Sequence, residues 1–381
     1  MSTIQQERNQ ILADLWEGKR PSRVPVTVNT SLEYSLEIFG YSLLREYYMP
    51  EKCFEVADKM AELINSDNLP CGSESRAAVF RYTLNKFMVP GDDGYFQHPN
   101  YSPMKFEEYP ELIKDPFAFW TNVIRPRSFG IVEEDPYYGN LRMEIADRIN
   151  AQIWAPYNSG ILVKKYERTD IEATTVLSMT PYDYIADYFR NFSEICIDIR
   201  RKPEWVLEAC EAVLGFVEGT LARAAKPEGK IPVVSLPLHM PPFMRGKDYD
   251  KFYMPTFVKL IQMIHDYGLY PSIYCEQNWD AHLESLNDLP GRVKIGFELA
   301  NPQLVVEKVD KRHFIYGFFD ASLLRTATPE RVVEETKKLL DVAAVNGNYS
   351  FSPDKNMMRK NDGIIENIQA MVNTVLEYGV Y

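Results

Sequence analysis

The sequence contains no run of about eighteen apolar residues, which excludes a membrane-spanning helix. It is also short of positive charge. Forty-two Lys and Arg stand against 54 Asp and Glu, a formal net charge of −12. Contacts to a phosphate backbone need a basic surface, so nucleic acid is excluded as a partner. Cysteines are few, scattered and odd in number: Cys53, Cys71, Cys196, Cys210 and Cys275. That pattern points to free thiols in a reducing cytoplasm rather than a disulfide framework. The opening stretch MSTIQQERNQILADLWEGKR lacks a basic segment followed by an apolar core, so no secretory signal is read there and a cytoplasmic location is expected. Low-complexity tracts and linkers between folded units are missing too, and 381 residues suit one large domain, expected over residues 1–381.

What is present in quantity is aromatic, with 24 Tyr and 20 Phe. Either a large core or an aromatic-lined pocket for a flat organic ligand accounts for them. The stretch from Ile231 to Asp354 carries the main signal. It reads IPVVSLPLHM, YPSIYCEQN, VKIGFELANP, HFIYGFFDAS and NYSFSPDKN, short apolar runs separated mostly by amphipathic helical sequence. Strands alternating with helices predict a parallel α/β sheet. Each run ends in a reactive side chain: His239, Cys275 with Glu276, Glu298, Asp320 and Asp354. In a closed (β/α)8 barrel, the expected fold, that is the end that carries the active site. Glu276, Glu298 and Asp320 recur at intervals of 22 residues, which predicts equivalent points on successive βα units.

Upstream, residues 3–18 read as an amphipathic helix ending near Gly18, an N-terminal extension over about residues 1–20. Pro21 and Pro25 bracket a short strand that ends at Asn29 and Thr30. Residues 68–130, rich in Pro, Gly and aromatics, predict an irregular excursion over the strand C-terminal rim, a lid or binding wall. A helix is expected at about 139–151, a strand at 174–179, and a further helix starting at Lys202-Pro203.

The segment GFFDASLLRTATPERVVEETKKLL resembles the strand, turn and helix near the C-terminus of the uroporphyrinogen decarboxylase superfamily. PSRVPVTVNTSLEYSLEIFG, the TPYDYIADYFRN to CIDIRRKPEWVLEACE block and the closing ENIQAMVNTV fit it as well. True decarboxylases carry an arginine-rich loop after the first strand; VNTSLEYSL here has none, and a tetrapyrrole with many carboxylates needs such cations. The resemblance therefore runs to the corrinoid-dependent methyltransferase branch, nearest the first methyltransferases of O-demethylase systems. It implies transfer of a methyl group from a small methylated substrate, an aryl methyl ether foremost, to the cobalt of a separate corrinoid protein. A metal-independent decarboxylase or lyase of the same fold is the alternative. The chain lacks the Asp-x-His-x-x-Gly signature of a cobalamin carrier, so the corrinoid is expected on a partner.

The resemblance also implies zinc, which would polarise the ether oxygen of a poor leaving group. His239, Glu276, Glu298 and Cys275 offer the ligand chemistry. Cys275 and Glu276 are adjacent on a strand and point to opposite sides, so Cys275 reads first as a buried packing thiol and second as a ligand. His239, Glu298 and Asp320 are the candidate catalytic groups, Asp320 to orient the ligand or protonate the leaving oxygen. Asn29, Tyr34, Met240, Phe243 and Asp354 are candidate substrate contacts, although Asp354 reads equally as part of a solvated turn.

Overall fold

The computed structural model describes residues 2–381 and is a mixed α/β fold: one parallel sheet with many helices around it. Six strands follow one another in both chain and sheet order. They are β1 (Glu172–Leu177), β2 (Ile231–Leu238), β3 (Tyr270–Cys275), β4 (Lys294–Phe297), β5 (Phe314–Phe319) and β6 (Tyr349–Pro353). Every neighbouring pair is parallel, as helical crossovers require. Their apolar runs are buried almost throughout from β2 onward, as expected of a sheet covered on both faces.

Beyond β6 the frame continues through two irregular segments. Thr27 N–H donates to Phe351 O (2.8 Å) and Phe351 N–H to Pro25 O (2.7 Å), so residues 24–30 run beside β6. Residues 66–70 run beside them in turn: Asp67 N–H donates to Val26 O and Thr30 N–H to Pro70 O, both at 2.8 Å. These stretches do not form regular ladders. Pro25 and Pro70 lack a donor, and side chains stand in for main chain. Asn68 accepts from Val28 N–H (3.0 Å) and donates to Val28 O (2.9 Å), while Asp67 accepts from Val26 N–H (2.8 Å). Thr169 N–H donates to Asp67 O (2.8 Å) just ahead of β1.

The helices include α1 (Thr3–Trp16), α2 (Ala77–Tyr82), α3 (Gly139–Trp154) and α4 (Pro181–Tyr184). Helix α1 starts at a Ser2 cap and ends two residues before Gly18, which takes a left-handed φ of +76°. Its Leu12, Leu15 and Trp16 pack with Val233 and Phe314 at the N-terminal end of the sheet. The Trp16 indole donates to Glu172 (2.6 Å), which pairs with Lys294 at 2.7 Å. That end of the sheet is sealed, and the C-terminal end is left for chemistry.

The irregular excursion expected over 68–130 extends in the structure to Lys165. It holds α2, a short hairpin pairing Val89–Pro90 with Phe96–Gln97, several brief helices and α3. The strand expected at 174–179 lies at Glu172–Leu177, and the proline-led helix spans Pro203–Leu221.

Candidate functional site

Sheet register assembles the site. Leu238 pairs with Cys275 and Cys275 with Phe297, so the next residues, His239, Glu276 and Glu298, stand in one row at the C-terminal edge. The ladder runs into that row: Glu276 N–H donates to Leu238 O (3.3 Å) and Glu298 N–H to Cys275 O (3.1 Å). The 22-residue interval is thus the true register step from β3 to β4. From β4 to β5 the step is 20, because Phe297 pairs with Gly317. Gly317 and Phe318 take positive φ, +107° and +75°, within β5 while still pairing with β6. With a step of 20, Phe318 falls in the row and Asp320 two residues beyond it, exposed, with its carboxylate accepting from Ser322 N–H (2.9 Å).

His239 is the centre of the row. Its Nδ1 lies 2.7 Å from Asp187 Oδ2 and its Nε2 lies 3.2 Å from Glu276 Oε1. Ionised carboxylates only accept hydrogen bonds, so both ring nitrogens carry protons and the ring is an imidazolium. Burial alone would push its pKa down. The hydrogen bonds to Asp187 and Glu276 outweigh that and raise it to about 11.

Asp187 comes from the turn after β1. Thr180 caps α4, whose helical path continues through a wide π turn over Ile185–Arg190. That widening brings Asp183 and Asp187 to one face, both toward the His239 segment; such turns are common at functional sites. Asp183 is fully buried. It accepts from Thr180 Oγ1 (3.0 Å), Tyr253 OH (2.5 Å) and Met240 N–H (2.9 Å). Burial lifts its pKa to about 6 despite the nearby His239 charge. Its bond to the amide of Met240, the residue after His239, fixes the backbone that carries the imidazole. Asp183 and Asp187 were not singled out from the sequence; the available signal was a pair of carboxylates four apart behind a Thr-Pro helix start.

The other expected groups are dispersed. Glu298 accepts from Gln277 N–H (2.7 Å) and lies 3.4 Å from Lys355 Nζ. Cys275 is fully buried in the core, where desolvation drives its thiol pKa well up. Among the described residues no group of three or more His, Cys, Asp or Glu side chains is placed to hold a metal ion. His239 Nε2 and Glu276 are two donors at a separation one metal could bridge, but a catalytic zinc takes three protein ligands. The expected set of His239, Glu276, Glu298 and Cys275 therefore does not fit zinc as arranged. Strand alternation turns Cys275 into the core, and Glu298 is held by a backbone amide.

Of the expected substrate contacts, Asn29 is exposed and accepts from Asn68 Nδ2 (3.0 Å). Tyr34 is a core residue whose hydroxyl donates to Gly363 O (2.9 Å). Met240 is fully buried, and Phe243 is exposed with its ring edge-on to Phe192. Asp354 is buried and accepts from Ala321 N–H (3.1 Å); desolvation lifts its pKa to about 6. It is not a solvated turn residue.

A cavity of about 620 Å³ lies where the excursion meets the ends of β1 and β2. Phe87, Trp120, Tyr184 and Tyr188 line it with Leu177 and Pro237. Pro237, near the end of β2, is two residues before His239, and Tyr188 follows Asp187. The cavity and the imidazolium thus share both of their supporting segments. No helix among the described residues is long and apolar enough to cross a membrane.

Comparison with known proteins bears on this arrangement at the level of family and fold. The uroporphyrinogen decarboxylase (URO-D) family matches residues 173–378. No curated protein matches the chain. Among solved structures, a methyltransferase from Methanosarcina mazei superposes with a TM-score of 0.61 at 13% identity, covering 97% of this chain and 98% of its own. Proline Utilization A (PutA) from Bradyrhizobium japonicum aligns at 12% identity over 99% of this chain and 38% of its own, but with a TM-score of 0.30. The first of these is a likeness of fold; the second carries no weight.

Proposed function

The chain belongs to the uroporphyrinogen decarboxylase family, and from that premise we propose that it is a methyltransferase that demethylates a small methylated substrate, foremost an aryl methyl ether. The fold likeness to a methyltransferase supports the branch. The observation that carries the reading is the His239 imidazolium clamped by Asp187 and Glu276, on segments whose neighbouring residues Pro237 and Tyr188 line an aromatic cavity. We read the sheet as part of a (β/α)8 barrel completed by residues 24–30 and 66–70, in a single domain over residues 1–381.

An aryl ether loses its methyl group slowly because phenoxide leaves poorly. A proton delivered to the ether oxygen removes that obstacle. The aromatic rings of the cavity hold the flat substrate with its ether oxygen toward Nε2. Glu276, at the open edge, holds the Nε2 proton until the oxygen takes its place. The carbon–oxygen bond breaks with its electron pair going to oxygen, and that oxygen receives the proton of His239. The methyl carbon passes to the methyl acceptor, the cobalt of a corrinoid carried by a partner protein at the open rim. Reduced cobalt supplies the electron pair for the new bond. Asp187 keeps the ring oriented and its charge compensated throughout. Zinc would polarise the same oxygen, but two converging donors do not make a site for it.

The test is methylation of added cob(I)alamin by methoxylated benzoates, followed by loss of its absorbance, with the wild-type chain and His239→Gln. Methylation by the wild type that falls at least about a hundredfold in the variant supports the proposal. Release of carbon dioxide from an aromatic acid without cobalt would sink it and favour the decarboxylase alternative.

A further inference from the structure

Helix α3 is sixteen residues long, yet only Gly139 and Trp154 on it are buried. Its outward face carries Leu141, Ile145, Ile149 and Ile153, spaced by four and each between 44 and 55% exposed. Tyr137, at 90% exposed, and Tyr138 precede the helix, and Tyr82 of α2 flanks it. The spacing makes one continuous ridge along an i, i+4 row. Beside the ridge runs a groove of about 330 Å³, whose far wall is Ala78, Val79 and Tyr82 of α2.

We propose that this face is where a second copy of the chain docks. Three observations select that occupant. First, the ridge borders its own groove. A two-fold mate seats its ridge in this groove while its groove takes this ridge, the reciprocity that a symmetric dimer requires. Second, the size is right. The four aliphatic residues together with Tyr82, Tyr137 and Tyr138 expose on the order of 800 Å² per copy, the area that a stable interface needs from each partner. Contiguous apolar patches of that size are uncommon on monomeric proteins. Third, the charges suit an acidic protein meeting itself. On a chain of net charge −12, the ridge itself is uncharged and acids along its flanks are paired, Asp135 with Arg142 and Asp147 with Arg76. Two copies approach here without the repulsion they meet elsewhere.

A protein that delivers a methyl acceptor is disfavoured by position. Helix α2 gives Ala78, Val79 and Tyr82 to the groove but Arg76, just before it, and Phe80 to the aromatic cavity. The ridge therefore lies behind the cavity wall, and whatever covers it does not reach His239.

The test is sedimentation velocity on the full chain across a dilution series, with Ile145→Asp, Ile149→Asp and the paired variant. Both side chains are half exposed in the single chain, so the variants retain the fold, verified by circular dichroism. Val345→Asp, an exposed apolar position elsewhere, is the control. The expected result is a wild-type dimer weakened at least about tenfold by each single variant, abolished by the pair and unaffected by Val345→Asp. A wild type that is monomeric throughout overturns the proposal, as does a dimer that survives the paired variant.

Discussion

His239 Nδ1 stands 2.7 Å from Asp187 Oδ2, a contact between residues 52 apart in sequence. The pair fixes which way the ring faces and helps to keep it charged. Asp187→Asn keeps the shape and removes the charge. The His239 pKa should drop, and the alkaline limb of the kcat/KM profile should move to lower pH. Titration of the imidazole by nitrogen-15 NMR checks the same shift without turnover. An unchanged imidazole pKa in Asp187→Asn would remove the electrostatic role given to this contact.

The same charges make stability depend on pH in two windows of opposite origin. His239 has a folded pKa raised above its unfolded value. Its contribution is therefore fully present below about pH 6.5 and is lost as pH rises through about 11. Asp183 has a folded pKa of about 6, above its ordinary value of 3.8, so the folded state binds the extra proton between the two. Its buried charge accordingly costs stability as pH rises from 3.8 to about 6. Urea midpoints measured across pH for wild type and Asp183→Asn should show a smaller decline in the variant over that window. Equal declines would mean that Asp183 does not titrate there.

Gly296 should not tolerate a side chain. A Cβ at that position would lie 2.1 Å from Cζ of Tyr316, the neighbouring residue on β5. Gly296→Ala should lower unfolding free energy by about 1–3 kcal/mol. Tyr316→Leu in the same chain should recover part of the loss by removing the crowded ring, and denaturant titrations of the two variants decide it. A neutral Gly296→Ala would mean that the Tyr316 ring swings aside at little cost.

Metal removal gives a further check. With two converging donors, dialysis against a strong chelator should leave activity within about twofold. Cys275→Ala should be equally silent in catalysis, because that thiol faces the core. Activity lost on chelation and restored by zinc would mean that Glu298 turns from the Gln277 amide into the His239 row.

The sequence revealed the strands because parallel, doubly covered strands are apolar runs with sharp ends, as IPVVSLPL and FIYGFF are. It also aligned Glu276 with Glu298, since their spacing equals the register step. It misplaced Asp320 because the register step from β4 to β5 is 20 residues and not 22, already at the first pair Lys294–Phe314, and a connection two residues shorter leaves no mark in the apolar runs. Asp183 and Asp187 stayed hidden for another reason. Which face of a short helix meets His239 is set by a π turn and by tertiary packing, and neither leaves a periodic trace. Tyr34 and Met240 looked like pocket residues because apolar and aromatic side chains serve a core equally well, and here they do.

His239 and its clamp come from residues 183–276, whereas much of the aromatic cavity wall comes from the excursion before β1. The excursion thus adds one side of the cavity, while its other side stands on the same segments as the His239 row. The excursion could be exchanged for that of a relative while the imidazolium row keeps its hydrogen bonds. A chimera built at the Thr169–Asp67 junction would keep the His239 row of one parent and take one cavity wall from the other.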